Sequence, residues 1–283
     1  MIVRFEGGLG NQMFQYAIYY MGKKKGYDVS ADCSFYESNI AHNGLEIEKI
    51  FGIELNKTNI QYILYKQDIL SKTLRKLGLN FSNNDVIKEN KAKYIPNLLT
   101  DKNKHKYLFG YWQSEKYFCS IRSEILSSFK FPNLGEKSQK MLDMIQSTNS
   151  IAMHIRRGDY ILAKIYENLG ESKYYENAMN YFENRFENIT YFIFSDDLTW
   201  CKNNLRSNKR AIFVDCNKGR DSFFDMKLMS HCKHNIIANS SFSWWGAWLN
   251  DNPNKIVLAP HKWFTRMSGY DDTNIVPESW IKV

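Results

Sequence analysis

The segment SIAMHIRRGDY, Ser150 to Tyr160, ends an apolar run with one histidine, two adjacent arginines and an aspartate. Alternate side chains along a strand share a face. His154 and Arg156 are therefore expected to point together, with Arg157 on the opposite side. An arginine fork at the carboxyl end of a strand suits a phosphate or diphosphate, which it can hold through two parallel bonds. Asp159 can orient an arginine or accept a proton. A salt-bridged turn without chemistry is the rival reading of the same residues, and Gly158 permits a tight turn under either.

Three further segments place short polar groups where strands end. In FSDD, Phe194 to Asp197, acidic groups such as Asp196 can hydrogen-bond a ribose or a guanine edge; Ser195 and Asp196 can equally cap a following helix. In IIANSSFSWWGAW, Ile236 to Trp248, Asn239, Ser240, Ser241 and Ser243 lie where a helix begins, and free N–H groups and the helix dipole favour an anion there. Trp244, Trp245 and Trp248 have helical spacing and read as core. In GGLGNQMFQYA, Gly7 to Ala17, the dinucleotide spacing G-x-G-x-x-G fails, because Met13 stands where the third glycine belongs. What remains is a turn at Gly8 and Gly10 where backbone can approach a ligand, with Asn11 and Gln12 presenting amides.

These segments need elements to carry them. The second half alternates regularly. Strands are predicted at SIAMHIR, ITYFIFS, AIFVDC, NIIANS and KIVLAP, with helices at KSQKMLDMIQS, SKYYENAMNYFENRF, DLTWCKNNL, DSFFDMKLMSHC and FSWWGAWLN. That pattern predicts an α/β domain, a doubly wound parallel sheet that binds ligands at the carboxyl ends of its strands. The first half opens in the same way, with strands at MIVRFEG and YDVSADC around a helix from Asn11. Past Phe35 the pattern loosens, with helices expected near Tyr62 to Leu77 and Glu115 to Ser127 and a strand near KYLFGYW. The breakers of FPNLG place the boundary between domains 1–135 and 136–283.

The 283 residues carry a net charge of +8, of which +6 lies in residues 1–135, most densely from Lys88 to Lys106. That run reads as a solvated loop; a basic bias also attracts an anionic membrane surface, an anionic ligand or nucleic acid. Five cysteines without C-x-x-C spacing argue against a disulfide framework or a zinc site and fit a reducing compartment. No signal peptide and no run of membrane-spanning length is evident, so a cytoplasmic protein, with at most peripheral contact with a membrane, is expected. No Asp-x-Asp triplet occurs. The metal clamp of many sugar-nucleotide enzymes is thus missing, and Arg156 with a helix amino terminus can carry leaving-group charge instead.

GGLGNQMFQYA, HIRRGDY, FIFSDD and NSSFSWWGAWLN, in this order, resemble glycosyltransferase family 11, the α-1,2-fucosyltransferases, and the resemblance runs from Met1 to about Phe264. It implies a GT-B fold, two Rossmann-like domains facing a cleft, with a donor site in the second and the acceptor side largely in the first. It implies GDP-fucose as donor, no metal or other cofactor, and inversion at the transferred carbon. Arg156 is then the diphosphate clamp, and His154 sits near the nucleotide. Ser240, Ser241 and Phe242 match the segment that holds phosphates, and Asn11 matches an asparagine near the transferred sugar. The glutamate base of related α-1,6 enzymes falls near Lys164 here, with Glu167 close but not aligned, which leaves Asp159 as the candidate base. The start of the chain directly at a strand fits a bacterial member acting on a galactose-terminated oligosaccharide or lipid-linked glycan. The rivals are another nucleotide sugar on the same fold, or a non-catalytic basic module binding nucleic acid or membrane.

Overall fold

In a computed structural model, residues 1–38, 43–59, 86–100 and 106–283 are described. The helix expected near Tyr62 to Leu77 lies outside them. The chain forms two compact units, Met1–Lys130 and Phe131–Val283, divided at the leading edge of FPNLG.

The first unit carries a parallel sheet of four short strands: β1 (Ile2–Arg4), β2 (Ser30–Asp32), β3 (Val86–Lys88) and β4 (Tyr107–Phe109), in the order β2-β1-β4-β3. Helix α1 (Leu9–Lys24) follows β1 and buries most of its length, including Met13, Phe14, Ala17 and Ile18. Its Gln12 amide is structural rather than presented. Gln12 is fully buried; it donates to the carbonyls of Gly7 and Gly44 and accepts from the N–H groups of Glu46 and Ile47, so it caps α3 (Glu46–Phe51), which follows α2 (Phe35–Ser38). Gly7 holds the left-handed backbone of the turn, at φ +80°, whereas Gly10 lies inside the helix. In place of one helix over Glu115 to Ser127 there are two 3-10 turns and α4 (Arg122–Ser128). The lysine run is not wholly solvated: Lys106 is buried and donates to the carbonyl of Leu98.

The second unit holds six parallel strands: β5 (Asn149–Ile155), β6 (Ile189–Ser195), β7 (Arg210–Phe213), β8 (His234–Ile236), β9 (Val257–Ala259) and β10 (Ile281–Lys282). The order is β10-β9-β8-β5-β6-β7, with every pairing parallel. The chain lays down three strands outward from β5, then returns to start the other half at β8. In such an order, the right-handed crossovers that parallel strands favour set the helices of the two halves on opposite faces. The order reverses between β5 and β8, where doubly wound sheets open a crevice for ligands. Two Rossmann-like units are the parts of which the GT-B expectation is composed. β10 was not expected, because a two-residue strand carries no period to read.

Before β5 comes α5 (Glu136–Gln146), and after it the short α6 (Gly158–Leu162), where only a tight turn was expected. Next comes α7 (Tyr174–Glu183), whose Tyr175, Ala178, Met179 and Phe182 share one core with Ile151, Met153 and Ile155 of β5. The odd-numbered residues of β5 thus face α7, which leaves Ala152 and His154 to the opposite face.

Candidate active site at the sheet crossover

Register brings the site together. Ile155 of β5 stands opposite Ser195 of β6, so the chains leave these strands side by side. Arg156 leaves on the face of His154. Its guanidinium meets Asp159 at 2.8 Å and Asp196 at 3.2 Å and lies 5.5 Å from the ring of Tyr160. Arg157 leaves on the other face. It meets Asp197 at 3.3 Å and lies 4.1 Å over the ring of Trp200, the cation–π range. The two arginines therefore divide as parity predicts, one half-open to solvent and the other packed.

The acidic pair has separate duties. Asp197 is the N-cap of α8 (Leu198–Asn204) and accepts from the N–H of Trp200 at 2.9 Å. Capping by Ser195 or Asp196 was one of the two readings of the sequence; the cap lies one residue further on, because Ser195 accepts instead from the N–H of Asp197. Asp196 is held by Arg156 and by the backbone N–H of Arg157 at 2.9 Å, so its carboxylate fixes the turn rather than standing free for a ribose or a guanine edge.

Across the crossover, β8 ends at Ile236, earlier than NIIANS suggests, and the next residues form the approach to α10 (Ser241–Trp248). Asn239 is buried. Its side-chain amide donates to the carbonyls of Glu167 and Trp263, both at 2.9 Å, so the side chain anchors the loop. Ser240 is the N-cap and accepts from Phe242 N–H. Ser241 and Phe242 are partly exposed at the start of the helix. Trp244, Trp245 and Trp248 are buried, as their spacing predicts, and anchor α10 with on the order of 2–3 kcal/mol of burial each.

His154 ties the two sides together, its ring 5.8 Å from that of Phe242. Burial, with the charge of Arg156 added, pushes its pKa down to about 3, so the imidazole is neutral at every working pH. Its Nδ1 is buried and has no hydrogen-bond partner among the described residues. A buried polar atom left unpaired costs about 1–3 kcal/mol, and a bound ligand can supply the missing partner.

His154, Arg156, Asp159, Asp196, Ser240, Ser241 and Phe242 thus line the carboxyl ends of β5, β6 and β8, with Asn239 behind them. Gly10 and Asn11 belong to the first unit; Asn11 accepts from Gln113 at 2.8 Å. The sequence reading did not single out Trp200, or Tyr160 stacked on Tyr166 at 3.9 Å. An aromatic near a charged turn was the only signal for either.

Gly158 is constrained by closeness. A Cβ there would stand 2.7 Å from the Asp196 carboxylate. Gly158→Ala is expected to push that carboxylate off Arg156 and reduce turnover roughly three- to tenfold, since small misplacements in a site are costly. The melting temperature should stay within about 2 °C, for a cost near the surface of under 1 kcal/mol. Steady-state kinetics beside a thermal melt checks both.

Residues 1–283 match a family model described as glycosyl transferase family 11. Among similar proteins, an Escherichia coli alpha-1,2-colitosyltransferase is 33% identical, over 100% of this chain and 98% of its own. The Escherichia coli O-antigen biosynthesis glycosyltransferase WbnK is also 33% identical, over 98% of each chain. A Bos taurus protein, galactoside 2-alpha-L-fucosyltransferase SEC1, is 26% identical over 87% of this chain and 63% of its own. Among the described residues, no helix is long and apolar enough to cross a membrane.

Proposed function

This chain belongs to glycosyl transferase family 11, and we propose that it moves L-fucose from GDP-β-L-fucose to the 2-hydroxyl of a terminal galactoside in a bacterial surface glycan. The observation that carries this reading is Arg156 at the strand crossover, braced by Asp159 and Asp196, with His154 on the same face of β5 reaching Phe242 at the start of α10. The diphosphate rests on the Arg156 fork and on the N–H groups that open α10. A guanidinium has five N–H donors, so it can hold phosphate oxygens while keeping Asp196. The unpaired Nδ1 of His154 takes a hydrogen bond from the nucleotide.

Transfer proceeds with inversion and without a metal. The bond from the fucose anomeric carbon to phosphate breaks, and GDP leaves with the electron pair, its charge met by Arg156. The galactoside oxygen attacks the opposite face, and its proton passes to a carboxylate, for which Asp159 is the candidate. Asp159 is more than half exposed and pairs with Arg156. A diphosphate on Arg156 competes for the same fork and loosens Asp159, so donor binding readies the base. The protein works on the cytoplasmic side, with peripheral contact to the membrane that carries a lipid-linked acceptor.

A second reading has one specific support, the relative named for colitosyl transfer. Colitose is fucose without its 3-hydroxyl, so GDP-colitose would meet the same diphosphate clamp. A panel of GDP-fucose, GDP-colitose and GDP-mannose with N-acetyllactosamine, each with and without excess EDTA, separates the readings. Transfer from GDP-fucose is expected to have the highest kcat/KM and to survive EDTA. A higher value for GDP-colitose would transfer the assignment to that donor. Activity lost with EDTA and restored by Mn²⁺ would overturn the arginine mechanism.

A further inference from the structure

The first unit carries a second convergence of side chains, at the carboxyl ends of β1 and β4. Gly7 turns the chain out of β1 with φ +80°, and its carbonyl is gripped by Gln12 Nε2 at 3.0 Å and by the Tyr36 hydroxyl at 2.8 Å. A Cβ on Gly7 would stand 2.7 Å from the Asn11 amide nitrogen and 3.4 Å from the ring edge of Tyr111. A bare backbone is thus what lets Asn11 and Tyr111 converge over one spot.

The strand-end segment that brings Tyr111 there is held firmly. The carboxylate of Glu89, at the end of β3, accepts from Tyr111 N–H at 2.8 Å and from Trp112 N–H at 3.1 Å. Trp112 is fully buried in a left-handed backbone, φ +58°, and its indole N–H finds no hydrogen-bond partner among the described residues. Both features cost stability, and such costs persist where a neighbouring group must be aimed. What Trp112 aims, on either side of it, is Tyr111 and Gln113. Tyr111 remains 38% exposed.

Gln113 Nε2 donates to Asn11 Oδ1 at 2.8 Å. That bond uses the acceptor of one amide and a donor of the other. It leaves the Asn11 NH2 and the Gln113 carbonyl side by side, a donor next to an acceptor. Two adjacent hydroxyls of a sugar ring present the complementary pattern. The axial 4-hydroxyl of galactose leaves the C–H bonds of C3, C4 and C5 on one face, and that face packs on an aromatic ring. An aromatic platform with a few fixed polar groups is the usual composition of such a subsite.

We propose that Tyr111, with the Asn11–Gln113 amide pair over the Gly7 turn, forms the subsite that holds the galactose ring of the acceptor. This rests on the transfer reading for the identity of the sugar, and it deepens that reading by naming the residues that select it.

The test is direct binding of N-acetyllactosamine to the full chain, followed by saturation-transfer NMR, for wild type, Tyr111→Phe, Tyr111→Ala and Gln113→Ala, with GDP affinity and melting temperature measured alongside. Tyr111→Ala is expected to weaken galactoside binding about tenfold and Tyr111→Phe less than twofold, because the ring face carries the contact. Gln113→Ala is expected to weaken the galactoside and to narrow the advantage of lactose over its glucose epimer, cellobiose. GDP affinity should be unchanged in all three. Galactoside binding by Tyr111→Ala equal to wild type, at unchanged melting temperature, overturns the subsite. So does a wild type that binds no galactoside. If binding follows the expected order while no nucleotide sugar in the panel is turned over, the transfer reading fails and the subsite stands.

Discussion

Replacing Arg156 by lysine is expected to leave the fold intact and to lower turnover about a hundredfold. The guanidinium holds Asp159 through one nitrogen and Asp196 through another, at 2.8 and 3.2 Å, while about a third of the side chain stays open. A lysine ammonium can supply charge at one point but cannot span two carboxylates and grip a diphosphate in parallel bonds. Losing one preorganised donor aimed at developing charge typically costs about 3 kcal/mol, which is the hundredfold. The ion pairs are partly exposed, so their loss should cost under about 1 kcal/mol of stability. Arg157→Lys is the matched control. Its guanidinium lies on the Trp200 ring and pairs with Asp197, and a Cβ on Gly170 would meet it at 2.5 Å. That variant should lower the melting temperature more than Arg156→Lys does and lower turnover less. Turnover, GDP affinity and melting, measured side by side, check the division. Near-normal turnover in Arg156→Lys would sink the clamp, and lost GDP binding in Arg157→Lys at unchanged melting would show that the faces are reversed.

Asp225→Asn is expected to stabilise the protein above neutral pH. Asp225 opens α9 (Phe223–Ser230), where its carboxylate accepts from Asn217 at 2.7 Å; the Asn217 carbonyl in turn accepts from the Ser138 hydroxyl at 2.6 Å. Burial pushes the Asp225 carboxyl up to about 7, and the hydrogen bond from Asn217 only partly opposes it. The folded state therefore holds a proton that the unfolded chain releases near pH 4. Stability falls as pH rises from about 4 to about 7, and above 7 the full penalty remains. The shift corresponds to at most about 4 kcal/mol. The residue retains some contact with solvent, and screening brings the expected value nearer 2 kcal/mol. An asparagine can accept the same hydrogen bond and never ionises. The melting temperature of Asp225→Asn should match wild type at pH 4 and exceed it by roughly 4–8 °C at pH 8. A gap independent of pH, or of the opposite sign, would show that the carboxyl is not held protonated.

Much of this protein was written into the chain itself. The alternation of short apolar runs with helical periods set the parallel α/β class, because a strand buried on both faces must be apolar throughout and its crossover must be long enough for a helix. The parity of β5 set the faces of His154, Arg156 and Arg157, because strand period does not depend on neighbours. The spacing of Trp244, Trp245 and Trp248 set which side of α10 is core. The four motifs together pointed to the family.

Other features depended on contacts between distant segments. That Asp159 and Asp196 share one guanidinium follows from the register of β5 with β6, which local sequence does not encode. That Asn239 is an anchor follows from the carbonyls of Glu167 and Trp263, which two separate loops bring to it. Gln12 looked like a presented amide until α3, far along the chain, buried it. Asp197 rather than Asp196 became the cap because a single residue of offset moves a side chain from the solvent side of a turn to the helix end. The pairing of Asn11 with Gln113, separated by about a hundred residues, exists only because β1 and β4 lie next to each other in the sheet. Short polar side chains have several partners within reach along the chain, and only the packed neighbours decide which one they take.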